Sequence, residues 1–273
     1  MQKLFDVRYP REDEYEALKA LWLRCFDDSP SVVERFFKNA VTDENVVAAF
    51  SDGEPVSVLY MIESTVTNNG KDYKAFYIYA VCTDPDFRGK GLMKKCFDFL
   101  FALSKERGVD YLFLVPAEES LFEMYKKLGF KNGFYYSEKI VCSKDFTGGT
   151  EVFENLSFED YILVRKSFSH KMNLATLGEK GFKGFLSPES ETVKALKCGN
   201  GYVVYEKEND TVTVHELFGD ENSLLKSVFK LTNMTSLTVR GFADEKTVPF
   251  GMYLGVSDAP PIDNAFFGIP YGG

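Results

Sequence analysis

The chain has 273 residues, 45% hydrophobic and 27% charged, enough for a full core in one large domain or two small ones. Its net charge of −9 disfavours non-specific binding to nucleic acid or to a membrane surface and leans toward a cationic partner. Five cysteines without a C-x-x-C pair read as reduced thiols in a cytoplasmic setting, and two histidines, His170 and His215, argue against a histidine-based zinc site or any other metal centre.

The opening residues MQKLFDVRYPREDEYE turn acidic at once and hold no apolar signal segment, and no later apolar run reaches the ~18 residues that a membrane span needs. A strand is predicted over 4–8. Pro10 is expected to open a helix whose Tyr15, Leu18, Trp22 and Cys25 recur at helical spacing. Asp28 and Ser29 precede a shorter helix through Val32, Phe36 and Phe37. Strands are predicted over 46–50, 56–66 and 74–83, with turns at Asp52-Gly53 and Asn69-Gly70; the second is a good hairpin signal. A helix over 91–107 stacks Met93, Phe97, Leu100 and Ser104 on one side and ends at Gly108. The apolar run 109–115 reads as a central strand, 118–128 as a helix closed by Gly129, and 134–141 as a last strand. The order β-α-α-β-β-β-α-β-α-β is a mixed α/β layer.

Thr147-Gly148-Gly149-Thr150 reads as a boundary between a unit over 1–146 and a second over 151–273. Ser157 with Asp160 starts a helix to about Phe168, and 171–200 reads as loop-rich. Strands over 201–206 and 211–218 flank the turn Glu208-Asn209-Asp210; a helix over 221–231 and a strand over 236–240 follow. Hairpin, helix, strand repeats the order of residues 56–115, a duplication of element order without residue identity.

The stretch DFRGKGLMKK, residues 86–95, follows the strand ending at Thr83 and turns into a helix. The first N–H groups of a helix have no internal partner and, with the helix dipole, attract anions. Gly89 and Gly91 lack a Cβ, so a phosphate could approach the backbone, and Arg88 and Lys90 add positive charge. The competing reading is a solvated turn whose glycines only shape the start of the helix. Neither a P-loop nor a G-x-G-x-x-G fingerprint is matched.

Arg88-Gly89-Lys90-Gly91 after the strand Tyr77-Ile78-Tyr79-Ala80-Val81-Cys82-Thr83, joined by Tyr125, Gly129 and Phe130 some thirty residues on, resembles the GNAT acetyltransferases. Their signature is [QR]-x-x-G-x-[GA], then a helix ending Y-x-x-x-G-[FY]. Met93 stands where the signature has glycine or alanine; a bulky residue there resembles the tandem-GNAT branch that includes the enhanced-intracellular-survival acetyltransferases. The resemblance covers residues 1–142 and implies a GNAT fold there, with a degenerate GNAT-like unit behind it. It implies acetyl-CoA as acyl donor. Val81, Cys82 and Thr83 would offer strand-edge amides to the pantetheine and acetyl group. Arg88, Gly89, Lys90, Gly91, Leu92, Met93 and Lys94 would cradle the pyrophosphate, and Ser120 and Leu121 would flank the pantetheine arm.

Acetyl transfer needs a neutral amine, donors for the developing oxyanion and a proton for the leaving thiolate. Tyr125 sits where the family places that general acid; the alternative is a helix-face aromatic. Glu63, Tyr77 and Tyr79 fall on strands lining the cleft, but none is singled out as a base. The tandem branch implies a role for the C-terminal carboxylate, here Gly273. Cys82, with no histidine near it, is read as inert. In the second unit Phe218-Gly219-Asp220-Glu221-Asn222 replaces the cradle with two carboxylates, so one cofactor site per chain is expected. The expected function is acetylation of a primary amine of a small molecule or peptide. The competing one is a non-catalytic acyl-CoA sensor or scaffold. Nucleic acid and membrane are not expected as partners; a homo-oligomer is compatible with the sequence.

Overall fold

A computed structural model describes residues 5–146, 152–242 and 247–269. The chain enters through β1 (Asp6–Arg8) and a 3-10 turn at Glu12–Glu14, and only then forms α1 (Tyr15–Cys25). The helix expected to open at Pro10 therefore starts later. The Glu14 carboxylate accepts from the Arg8 guanidinium at 2.7 and 2.8 Å and from the Arg11 side chain and N–H at 2.8 and 2.7 Å. That knot keeps Arg11 extended. α2 (Pro30–Ala40) is capped by Ser29 Oγ, which accepts from the Val32 N–H at 3.4 Å.

Strands β2 (Val46–Ser51), β3 (Glu54–Asn68) and β4 (Lys71–Thr83) form an antiparallel meander. Both turns hold left-handed pairs, Asp52 and Gly53 at φ 54° and 90°, Asn69 and Gly70 at φ 52° and 75°, which matches the twist of the flanking strands. Then come α3 (Leu92–Glu106), β5 (Tyr111–Leu114), α4 (Glu119–Lys127) and β6 (Lys131–Cys142). Beyond the expected boundary at 147–150, which lies outside the described residues, follow β7 (Glu154–Asn155) and α5 (Phe158–Phe168). The segment read as loop-rich instead carries β8 (Asn173–Leu177), α6 (Glu179–Phe185) and β9 (Val193–Cys198). Gly181 and Gly184 disguise α6 in the sequence. A Cβ on Gly181 would lie 2.5 Å from Ile62, and one on Gly184 2.8 Å from Ala40, so these glycines let the helix press on β3 and α2. The chain ends with β10 (Gly201–Glu208), β11 (Thr211–Phe218), α7 (Glu221–Thr232), β12 (Ser236–Gly241), β13 (Val248–Gly255) and β14 (Ala265–Phe266).

One mixed sheet runs in the order β1-β2-β3-β4-β5-β13-β6-β12-β11-β10-β9-β7. β3/β4 and β10/β11 are antiparallel, and β4/β5 and β11/β12 are parallel. The duplication of element order is thus also one of pairing, and the second half is GNAT-like in topology. The two halves exchange strands. β13 lies antiparallel between β5 and β6, while residues 137–142 of β6 run antiparallel to β12. Each half's parallel strand is closed by a strand from the other.

Alternate residues of β3 and β4 serve two cores, as a strand covered on both faces requires. Tyr60, Ile62 and Tyr77 meet Trp22 of α1, Phe36 of α2 and Phe185 of α6; Leu59, Met61 and Ile78 meet Phe97 and Leu100 of α3. A third cluster joins Leu225 and Val228 of α7 to Val203 and Val214. The final described segment is buried: β14 pairs in parallel with β6 and β8, and Phe267 packs on Tyr77 at 4.9 Å and Phe113 at 5.2 Å.

Candidate active site

The site grows from an irregularity in β4. Val58 pairs Cys82 and Tyr60 pairs Tyr79, so Ala80 and Val81 together face Leu59, a β-bulge. Ala80 takes φ 45° there, a left-handed conformation that a non-glycine residue holds only under constraint. Pairing with β5 covers Ala75↔Tyr111 through Ile78↔Leu114 and ends before the bulge. Past it the two strands part, and a cavity of about 280 Å³ opens between them. Ile78, Ala80, Val81, Leu114, Val115 and Leu121 give it an apolar lining, and Tyr125, Trp22, Phe26, Asp28 and Tyr79 line it as well.

The cradle stands beyond the end of β4. Asp84 Oδ1 accepts from the Asp86 N–H at 3.0 Å and shapes the 3-10 turn Pro85–Phe87, while its Oδ2 pairs with Arg24 at 2.8 Å. Arg88 donates from Nε to the Thr83 carbonyl at 3.2 Å, and Lys90 donates to the Asp86 carbonyl at 2.9 Å. Gly89 and Gly91 take φ 76° and 73°, and a Cβ on either would meet open space. Gly91 caps α3 through its backbone alone, with no side-chain cap and no acidic residue in the first turn. α2, α5 and α7 each have a side-chain cap. The α3 N-terminus is the one at this loop, and its free donors suit a pyrophosphate.

Tyr125 is 6% exposed, with its ring against Phe97 and Phe130, and burial pushes its phenol well above the ordinary value of 10.0. It therefore keeps its proton across the physiological range, as a proton donor must. Glu63 is exposed and lines a different cavity with Asn45, Arg107 and Lys180, which removes it from the cleft. Tyr77 and Tyr79 do line the cleft, but burial raises the Tyr79 phenol far above neutrality, so it cannot act as a base there.

Asp28 was not singled out by its sequence position except as a helix-start residue. In the fold it faces the cavity among Trp22, Phe26 and Tyr79, and accepts from Trp22 Nε1 at 2.8 Å. Burial raises its carboxyl pKa, opposed by that indole bond. A carboxylate beside aromatic rings has the chemistry to take an alkylammonium. Among the other expected residues, Val81, Leu121 and Tyr125 reach the cavity, Leu92 is buried in the α3 core, and Met93 is half-buried against the same cluster. Cys82 is buried behind the strand, and Thr83 Oγ1 shares a 2.8 Å hydrogen bond with Ser57. Lys94 pairs with Asp98 at 2.9 Å, and Ser120 is exposed and bonded to Glu118. Gly273 lies outside the described residues. Among the described residues no cluster of three or more His, Cys, Asp or Glu could hold a metal.

Residues 6–133 match the family model described as acetyltransferase (GNAT) domain. No curated protein matches the sequence. Among solved structures, a GCN5-related N-acetyltransferase from Kribbella flavida superposes with a TM-score of 0.72 at 15% identity, over 93% of this chain and 72% of that one. Eis1 from Mycobacterium abscessus gives 0.67 at 13% identity, over 93% and 74%. Saccharomyces cerevisiae N-myristoyltransferase with bound myristoyl-CoA gives 0.62 at 11%, over 97% and 85%. Residues 6–133 are thus similar to the GNAT acetyltransferase domain, and the fold along nearly the whole chain is similar to that of GCN5-related N-acetyltransferases, Eis1 among them.

Proposed function

We propose that this protein is an acetyl-CoA-dependent N-acetyltransferase acting on a primary amine of a small molecule or peptide. The observation that carries the reading is the cavity where β4 and β5 part, which Tyr125 and Asp28 both line. The residues present fit the donor: an α3 N-terminus without a side-chain cap, two left-handed glycines beside open space, and an apolar slot of Val81, Leu114 and Leu121. The similarity to a myristoyl-CoA-bound N-myristoyltransferase supports an acyl-CoA in this fold.

Arg88, Lys90 and the N–H groups at Gly91, Leu92, Met93 and Lys94 hold the pyrophosphate. The β4 edge at Val81, Cys82 and Thr83, free of β5, orients the pantetheine arm. Acetyl-CoA supplies the acetyl group as a thioester. Asp28 holds the acceptor's ammonium, of free pKa near ~10.4, against Trp22 and Tyr79; after it gives one proton to solvent, the amine nitrogen bonds to the thioester carbonyl carbon, the C–S bond breaks, and the nitrogen sheds a second proton to solvent. Tyr125 hands its phenolic proton to the leaving sulfur as negative charge develops there.

The test is free-thiol release over a panel of polyamines, aminoglycosides and lysine peptides, alongside thermal shift with acetyl-CoA. Binding with turnover on at least one amine is expected. Binding without turnover on any amine returns the sensor reading; no binding removes both.

A further inference from the structure

Away from the cleft lies another cavity, of about 330 Å³, that shares no lining residue with it. It sits where the two halves join. Over residues 64–67, β3 has β4 on one side and β8 on the other: Thr67 pairs with Asp72 and with Leu174, and Thr65 pairs with Thr176. Residues paired in this way share a face of the sheet. Thr65, Thr67, Thr176 and Leu174 therefore form a floor, and Asp72 borders it on the β4 side. α5 adds Phe158, Ile162 and Lys166 on the β8 side, where Arg165 bonds Thr176. The strands flanking β3 are about 9.5 Å apart, room for one small molecule.

The polar groups of this groove are set by their partners. Thr67 is buried and donates from Oγ1 to Asp72 Oδ1 at 2.6 Å, which fixes the carboxylate and leaves its other oxygen as an acceptor. Thr176 Oγ1 accepts from Nε of the buried Arg165 at 3.0 Å. With that lone pair taken by a guanidinium, the threonine hydroxyl keeps its proton to donate elsewhere. Asp72 and Lys166 are exposed, and among the described residues neither has an ion-pair partner. Opposite charges on the two sides select a ligand that carries both, and Phe158, Ile162 and Leu174 give it an apolar surface to rest on.

We propose that this groove binds a free α-amino acid with an apolar side chain. Its ammonium lies on Asp72, its carboxylate on Lys166 and Thr176, and its side chain against Phe158, Ile162 and Leu174. Such a ligand touches β3 and β4 of one half and β8 and α5 of the other. It braces the junction between them and stabilises the folded chain as occupancy rises. Binding here needs nothing from the acetyl-transfer chemistry.

The test is calorimetric titration of the full-length protein with leucine, isoleucine and phenylalanine, and with the amide and the N-acetyl form of each, while thermal unfolding is followed in parallel. At least one of the three amino acids should bind and raise Tm with concentration. Its amide lacks the carboxylate and its N-acetyl form lacks the ammonium, so each should bind at least about tenfold more weakly. Asp72→Asn and Lys166→Met, both at exposed positions, should each weaken the amino acid by about tenfold, with ligand-free unfolding close to the parent's to show that the variants fold. Asp28→Asn should bind it like the parent. Failure of all three amino acids to bind at millimolar concentration overturns the proposal, as does an amide or N-acetyl form that binds equally well. Binding that Asp28→Asn abolishes and Asp72→Asn leaves intact puts the ligand in the acetyl-acceptor cleft, which overturns the groove and supports the acceptor reading instead.

Discussion

At the residue scale, the proposed reaction divides its chemistry between Tyr125 and Asp28, and each predicts a separate kinetic signature. Tyr125→Phe keeps the ring packed on Phe97 and Phe130 and removes only the proton donor. It should lower kcat by about 10²-fold or more while the KM for acetyl-CoA changes little, read by thiol release. Because burial raises the phenol above 10.0, the folded protein keeps this proton as pH climbs through that value. The rate should therefore show no Tyr125-dependent fall up to pH 10; a limb below pH 10 that Tyr125→Phe removes would contradict the raised phenol, whereas a Tyr125→Phe rate equal to the parent's would contradict the proton-donor role. Asp28→Asn keeps the shape and removes the charge that faces the cavity. It should raise the KM of a cationic amine by about tenfold, with a smaller effect on kcat, since the lost interaction is one of ground-state binding as much as of transition state. The tyrosine was legible in the sequence through its spacing to Gly129 and Phe130. Asp28 was not, because its only local signal is that of a residue ahead of a helix, and the cavity it faces is completed by Tyr79 of β4, far away in sequence.

At the scale of elements, α3 and the loop before it carry the prediction that separates a cradle from a solvated turn. Gly91 needs φ 73° and faces open space, so Gly91→Ala meets backbone strain without a clash. It should cost about 1 kcal/mol of stability and weaken acetyl-CoA binding beyond that cost, measured by denaturant unfolding and by titration. Equal loss for the apo protein and no change in acetyl-CoA affinity would leave the glycine with a structural role alone. The helix itself was readable from the apolar spacing of Phe97 and Leu100 and from Gly108. α6 was not readable, since its glycines Gly181 and Gly184 look like loop residues until Ile62 and Ala40 are seen pressed against them.

At the scale of the whole molecule, two features bind the halves together. The first is the exchange of β13 and β6 between the halves. Without β13 the edges of β5 and β6 stand open, a row of unpaired backbone groups that sheets do not leave exposed. A fragment of residues 1–146 should therefore aggregate or remain unfolded, judged by circular dichroism and light scattering; a soluble, cooperatively unfolding fragment would refute this. The second is a buried ion pair. Arg165 donates to both Glu216 oxygens at 2.7 and 2.8 Å, to Tyr202 at 2.9 Å and to the Ala175 carbonyl, and Glu216 also accepts from the Gly268 N–H at 3.1 Å. α5, β8, β10, β11 and the C-terminal segment meet at this one point. Arg165→Met leaves Glu216 buried without its cation and should cost about 3–5 kcal/mol by denaturant unfolding. Gly268→Ala tests the same junction from the other side, since its Cβ would fall 2.1 Å from the His215 carbonyl.

Local chemistry determined much of this protein by itself. Apolar periodicity, the Asn69-Gly70 turn, the Ser29 and Ser157 caps and the glycines around Arg88 are all decided by forces acting within a few residues, so most of the helices, the first hairpins and the loop that opens α3 were visible in the sequence. The tertiary structure alone decided the rest. β13 is claimed by β5 and β6, which lie more than a hundred residues before it; the bulge at Ala80 depends on how β3 and β4 register along their whole length; and Trp22 meets Tyr79 only because α1 packs on β4. Such pairings are chosen by long-range burial and backbone hydrogen bonding, and no local propensity encodes them.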